Sequence, residues 1–245
     1  MLVPLHDANP LNHIRRPIVT WALIGANILI FAVFQAGVVL PDAVFQAMTL
    51  GLGFIPSVVN DVAELAPGIL HAPEKLTYVT YMFLHISWWH LGSNMLFLWV
   101  FGDNVEDAMG HLRFLLFYLA CGAAGAFVHG IALYASQAPL IGASAAAAGV
   151  AIGYLLLHPH VRMWVLVFGR IPWRFPAWLV LGLWVLSQLV SLVFSDDNAI
   201  AWWAHLGGMI AGLCLTPLLR RRGVALFDRA LPALADPVDA NVSSR

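Results

Sequence analysis

Between Ile18 and Leu40 the chain is almost unbroken in apolar side chains, interrupted only by Asn27 and Gln35, and such runs recur along its length. They are about Ile86 to Gly102, Leu112 to Ala135, Leu140 to Leu157, Pro176 to Phe194 and Ala199 to Leu219. A run of about 18 apolar residues can cross a bilayer as a helix, and few other folds are open to it, because every backbone polar group in lipid must be satisfied internally. Only 10% of the 245 residues are charged and 61% are hydrophobic. An ordinary soluble domain carries roughly a quarter charged residues. Length alone would allow two soluble domains, and the hydropathy overrides that prior. The pattern predicts an all-α membrane protein: a bundle of six transmembrane helices lying in the lipid bilayer.

Residues 1–17 form a polar N-terminal segment, 18–220 the membrane domain, and 221–245 a flexible tail with Pro232 and Pro237. The first apolar run is too long for a cleaved signal peptide and reads as a retained helix. A long connection, about 41–85, joins the first two spans. Loops this long are usually functional, and this one reads as a partly embedded flap with short helices. The net charge of −1 gives no attraction to nucleic acid. Cys121 and Cys214 lie inside apolar runs, without the spacing of a disulfide framework or a metal site, and read as small buried hydrophobes.

Six spans put both termini on one side. Arg15 and Arg16, the arginines between 162 and 174, and Arg220 to Arg222 all fall on that side, which the positive-inside rule makes cytoplasmic. The other side receives the long loop with its single Lys75, the 136–139 turn, and Asp196 and Asp197. The acidic turn at 103–107 is the exception, and acids weigh little in this rule. The expected setting is a plasma membrane of bacterial type with both termini cytoplasmic.

This topology brings polar residues from three helices to one depth. Ser144 lies just inside the outer end of the fourth span, and His205 lies about 9 Å below the outer boundary of the sixth. His85, His90 and Asn94 lie at the outer end of the second. Polar groups in a membrane are costly and are candidates for function. His90 and Asn94, four apart, share a helix face. Ser144 shares a face with Ala148 and Ala151, and His205 with Gly208 and Gly212. Small residues on both faces permit close helix approach, which would bring the Ser144 hydroxyl to the His205 ring for general-base activation. With no acid at that depth to orient His205, a serine–histidine dyad fits better than a triad. His90, Asn94 and the Ser144 N–H would then donate to the oxyanion formed on attack at a carbonyl.

Each residue has a commonplace alternative. A membrane serine often bonds back to a carbonyl, and a histidine or asparagine can simply bridge helices. His129, His158 and His160 read as packing or interfacial residues. Zinc on His85, His90 and His205 is conceivable, but an i, i+5 pair is a poor chelate and no carboxylate partner accompanies it. No metal and no cofactor are expected.

The joint pattern resembles the rhomboid family of intramembrane serine proteases. The matching residues are His85-x-x-x-x-His90-x-x-x-Asn94, Gly142-Ala-Ser144, and Ala204-His205-x-x-Gly208-x-x-x-Gly212, with Glu106-x-x-x-Gly110 and Trp202-Trp203 as similar context. The resemblance covers about residues 12 to 220. It implies a six-helix rhomboid-like bundle, Ser144 as nucleophile, His205 as base, and His90 and Asn94 as oxyanion donors, with His85 and Gly142 supporting the site. It also implies single-pass transmembrane proteins as substrates, cut within or beside the membrane. Family members usually carry glycine after the nucleophile, where this chain has Ala145, and some carry an aromatic residue at the position of Ala148. The alternatives are a non-catalytic rhomboid-like protein that binds transmembrane helices, and a transporter. A transporter would call for inverted repeats, which the sequence does not show.

Overall fold

The computed structural model describes residues 2–37, 39–194 and 201–228. Residues 195–200, with Asp196 and Asp197, and residues 229–245 lie outside the described residues. The chain is mostly helical. Helix α1 spans Ile18–Ile30 and continues as a π-helical turn over Phe31–Gln35. Three short helices follow in the long connection: α2 (Asp42–Leu52), α3 (Pro56–Val59) and α4 (Glu74–Thr80). The rest of the bundle is α5 (Trp88–Met109), α6 (His111–Ala132), α7 (Ser144–Leu157), α8 (Ala177–Phe194) and α9 (Trp202–Leu219).

Among the described residues four stretches are long and apolar enough to cross a membrane: Ile18–Gln35, His111–Ala132, Ala177–Phe194 and Trp202–Leu219. They make this a multi-pass membrane protein. Helix α5 is as long as α6, but its last turns hold Asp103, Glu106 and Asp107. Helix α7 has only 14 residues. At 1.5 Å per residue it is about 21 Å long, short of the ~30 Å hydrocarbon core. It is also the most enclosed helix, buried from Ala145 through Tyr154. Its sequence explains this position: a helix of alanines and glycines has almost no bulk, so its neighbours close on it from every side.

Glycines and alanines set the distance between α7 and α9. A Cβ on Gly208 would fall 1.9 Å from the Ala145 carbonyl oxygen, and one on Gly212 2.5 Å from that of Gly149. On the α6 side, a Cβ on Gly149 would meet Cys121 Sγ at 2.5 Å. Backbone therefore rests on backbone, the small-residue mode of membrane packing.

The end of the bundle where α5 finishes and α1 begins is held by acids. Glu106, fully buried, accepts from the Val19 and Thr20 amides at 3.0 and 2.8 Å, from Thr20 Oγ1 at 2.7 Å, and bonds His111 Nδ1 at 2.5 Å. Asp107 accepts from the amides of Asn12, His13 and Ile14. These carboxylates satisfy free amides at and just before the start of α1 and lie at the positive end of its dipole. The acids expected in a turn at 103–107 thus lie within the last turns of α5, and Glu106 and Asp107 have a structural task there.

A three-stranded antiparallel sheet, with no counterpart in the all-helical expectation, caps the same end. Its order is β1 (Leu2–Asp7), β2 (Arg162–Val167), β3 (Ile171–Pro176). Val3 pairs with Leu166, and Arg162 with Pro176. Met163 and Val165 point into the core, so the short apolar piece between the arginines is an amphipathic strand. Residues after α9 fold back beneath α7: the Phe227 and Asp228 amides donate to Leu156 and Leu157. His158 bonds Asp228 at 2.7 Å.

Candidate active site

The segment entering α7 is locked before the helix begins. Leu140 exchanges both backbone hydrogen bonds with Phe54, at 3.1 and 2.7 Å, stitching the long connection to it. The Gly142 amide then donates to the Tyr81 carbonyl at 3.0 Å, and the Tyr81 hydroxyl to the Gly122 carbonyl at 2.8 Å. Gly142 has φ +117°, a conformation that L side chains rarely adopt. The chain turns there, Ala143 caps the helix, and Ser144 is its first residue. The first intrahelical bond runs from the Ala147 amide to the Ala143 carbonyl. The Ser144 amide has no acceptor within the helix, and its side chain sits at the positive end of the α7 dipole.

His205 stands in the first turn of α9, and its Nε2 lies 2.9 Å from Ser144 Oγ. The close α7–α9 contact makes that distance possible. On the far side of the ring, Nδ1 lies 2.8 Å from Oε1 of Gln188, on α8. Trp202 meets the ring edge-on, with centroids 5.9 Å apart at 88°. Ser144, His205 and Gln188 are half-buried.

His90 and Asn94 approach from α5, whose first turn is capped by Ser87 accepting from the His90 amide. A Cβ on Gly142 would lie 2.6 Å from His90 Nε2 and 3.7 Å from Asn94 Nδ2. The missing side chain of Gly142 therefore keeps open the space between these two residues and the serine segment. Among the described residues, Asn94 Nδ2 and His90 Nδ1 are buried without hydrogen-bond partners. The Asn94 N–H is costly to leave unpaired and is available to an incoming oxygen, and the His90 nitrogen that faces Gly142 is Nε2.

His85 lies just before α5. Its amide donates to Gln35 Oε1 at 2.9 Å, its ring meets that of His90 at 5.1 Å, and the Ala143 amide points at its Nε2 at 3.5 Å. It touches the frame of the site and not the serine. Among the described residues no three His, Cys, Asp or Glu side chains converge as metal ligands.

All six residues singled out in the sequence thus cluster at the starts of α5, α7 and α9. Ala145 carries its methyl against Gly125, where an added Cβ would meet it at 2.4 Å. The bulk gained at 145 is matched by bulk absent at 125. Gln188 is the partner that sequence reasoning misses. A glutamine on an apolar helix carries no spacing signal toward a histidine 17 residues on; only its rarity as a polar residue in the run marks it.

Comparison with known proteins gives a consistent result. Residues 72–222 match the Rhomboid domain family. The chain is 30% identical over 153 residues to Rhomboid protein 1, mitochondrial, of Saccharomyces cerevisiae, covering 58% of this chain and 41% of that protein. It is 31% identical over 159 residues to Rhomboid-type serine protease 2 of Emericella nidulans, covering 64% of this chain and 30% of that protein. RHOMBOID-like protein 12, mitochondrial, of Arabidopsis thaliana is 27% identical over 198 residues, 74% of this chain and 54% of its own length. The chain spans about half or less of the length of these relatives.

Proposed function

The chain belongs to the rhomboid family, and from that premise we propose that it is an intramembrane serine endopeptidase working through Ser144 and His205. The observation that carries this reading is the 2.9 Å contact between Ser144 Oγ and His205 Nε2, made across two helices. In the proposed reaction Ser144 Oγ attacks the carbonyl carbon of a substrate peptide bond while its proton passes to His205 Nε2. The oxyanion is held by Asn94 Nδ2, by His90 and by the Ser144 amide, with the α7 dipole adding to the field. Collapse expels the amine, which takes the proton from His205, and leaves an acyl group on Ser144. Water, deprotonated by His205, then releases the acid. No cofactor enters these steps.

The short length of α7 supports the membrane setting. A helix about 21 Å long cannot cross a ~30 Å core, and if it starts below the outer surface Ser144 would lie in a recess that admits water. Single-pass transmembrane proteins are the substrate class such a recess suits. Six spans with both termini cytoplasmic remain the topology that the arginine distribution supports. Two of the three relatives named above carry mitochondrial names, which lend no support to a bacterial plasma membrane and leave an organellar one equally compatible.

The test is cleavage of a transmembrane reporter by purified protein in liposomes. Ser144→Ala and His205→Ala should each lower cleavage by 10³-fold or more, on the order of the losses seen for such groups elsewhere, while accumulating normally. Retained cleavage by Ser144→Ala would contradict the assignment. A folded wild type that cleaves nothing and resists a serine-directed fluorophosphonate would favour the alternative, a rhomboid-like protein that only binds transmembrane helices.

A further inference from the structure

We propose that Gln188 is a positioning residue for His205, holding the imidazole in the tautomer that can take the Ser144 proton. The inference rests on the serine–histidine reading. A neutral imidazole carries one N–H, so a ring that accepts at Nε2 must donate at Nδ1. The acceptor facing Nδ1 is Gln188 Oε1, at 2.8 Å. Among the described residues no carboxylate bonds or pairs with His205.

An amide is useful here only if its oxygen, and not its nitrogen, faces the ring. A neighbouring hydrogen bond fixes that choice. Gln188 Nε2 lies 3.2 Å from Ser187 Oγ, and the Ser187 hydroxyl donates to the Trp184 carbonyl at 2.6 Å. With its proton committed to that carbonyl, Ser187 Oγ is an acceptor, and the group beside it must be the NH₂ of Gln188. The amide oxygen then faces His205. The donor sequence runs in one direction: Ser144 O–H to His205 Nε2, His205 Nδ1–H to Gln188 Oε1, Gln188 N–H to Ser187 Oγ, Ser187 O–H to Trp184 O. A reversed amide would put an N–H against Nδ1, force the ring proton onto Nε2, and leave Ser144 without a base.

Gln188 thus occupies the place of the acid in a triad, with a dipole in place of a charge. It can orient the ring and stabilise the imidazolium only modestly. The geometry also ties α8 to the reaction. Its most apolar stretch is only 22% buried, the least of the four long apolar helices, and Gln188 is its polar link to the site.

The test uses the full chain in liposomes, with steady-state cleavage of the transmembrane reporter and the rate of fluorophosphonate inactivation as readouts. Gln188→Met keeps the length and loses the acceptor; kcat should fall roughly 10- to 30-fold with KM changed less than about twofold, as expected for losing one oriented hydrogen bond. Inactivation should slow in parallel. Gln188→Glu keeps an acceptor and should retain most of kcat. Ser187→Ala, at an exposed position, frees the amide to turn and should lower kcat several-fold without changing thermal stability. Wild-type kcat in Gln188→Met, a loss carried by KM alone, or Gln188→Glu as impaired as Gln188→Met would overturn the inference. Ser144→Ala, run alongside, separates the two claims: if it is inactive while Gln188→Met is normal, only the role of Gln188 fails, and if it still cleaves, the serine–histidine reading fails.

Discussion

Gly142 shows how much a single residue decides. Its φ of +117° belongs to glycine, and the space a side chain would fill is already bounded by the His90 ring at 2.6 Å. An alanine there meets two separate obstacles: a backbone conformation it resists by about 1–2 kcal/mol, and contact with a residue assigned to the oxyanion. Gly142→Ala is expected to lower kcat for the reporter by at least tenfold while the thermal midpoint falls by only a few degrees. A variant with unchanged kcat would mean that the recess beside Gly142 is not used. Ser144, His205, His90 and Asn94 are conspicuous in the sequence because each is a polar residue inside an apolar run, and helical spacing assigns them to common faces. Gln188 and the Gly125–Ala145 fit are not legible in this way. Both depend on which face of one helix meets another, and a single sequence does not encode that contact in any spacing rule.

At the scale of elements, the serine–histidine distance is a consequence of helix packing. Gly208 rests on the Ala145 carbonyl and Gly212 on that of Gly149, so α7 and α9 touch through their backbones. Gly208→Ala would place a methyl 1.9 Å from a carbonyl oxygen that cannot move without shifting α7. Overpacking of this kind costs about 1–3 kcal/mol, and separation of the helices would also stretch the 2.9 Å contact. Loss of both thermal stability and fluorophosphonate labelling is expected, and a variant that lost neither would show that the contact is not critical. The small-xxx-small spacing makes this seam readable in advance. The terminal sheet is not readable in that way, because β1 and β2 lie far apart in the chain. Each is a short, mixed segment whose strand character comes from pairing with the other.

For the whole molecule, the site end and the capped end divide the labour: open donors at one, satisfied acids at the other. The capped end also contains a buried carboxyl that, among the described residues, forms no ion pair. Asp7 of β1 is 5% exposed and accepts from the Tyr154 hydroxyl, which joins the sheet to α7. Burial raises its pKa above the ordinary carboxylate value, with the Tyr154 bond only partly offsetting it. A raised acid binds its proton more tightly in the folded state. Its contribution to stability is therefore largest at low pH, and is lost as pH rises from the unfolded carboxylate value through the folded one. Asp7→Asn keeps an acceptor for Tyr154 and removes the titration. As pH rises above the unfolded carboxylate value, about 4, the thermal midpoint of wild type should fall relative to that of Asp7→Asn; parallel curves would contradict the account.

The central claim is that Ser144, activated by His205, forms a covalent bond during the reaction. Its most direct measurement is to treat the folded wild-type protein in liposomes with a fluorophosphonate and locate the adduct by peptide mass spectrometry. The account predicts one adduct, on Ser144, formed at least 10²-fold more slowly in His205→Ala, in line with the loss of a general base. An adduct on a different residue, or labelling of Ser144 that is indifferent to His205, would contradict it.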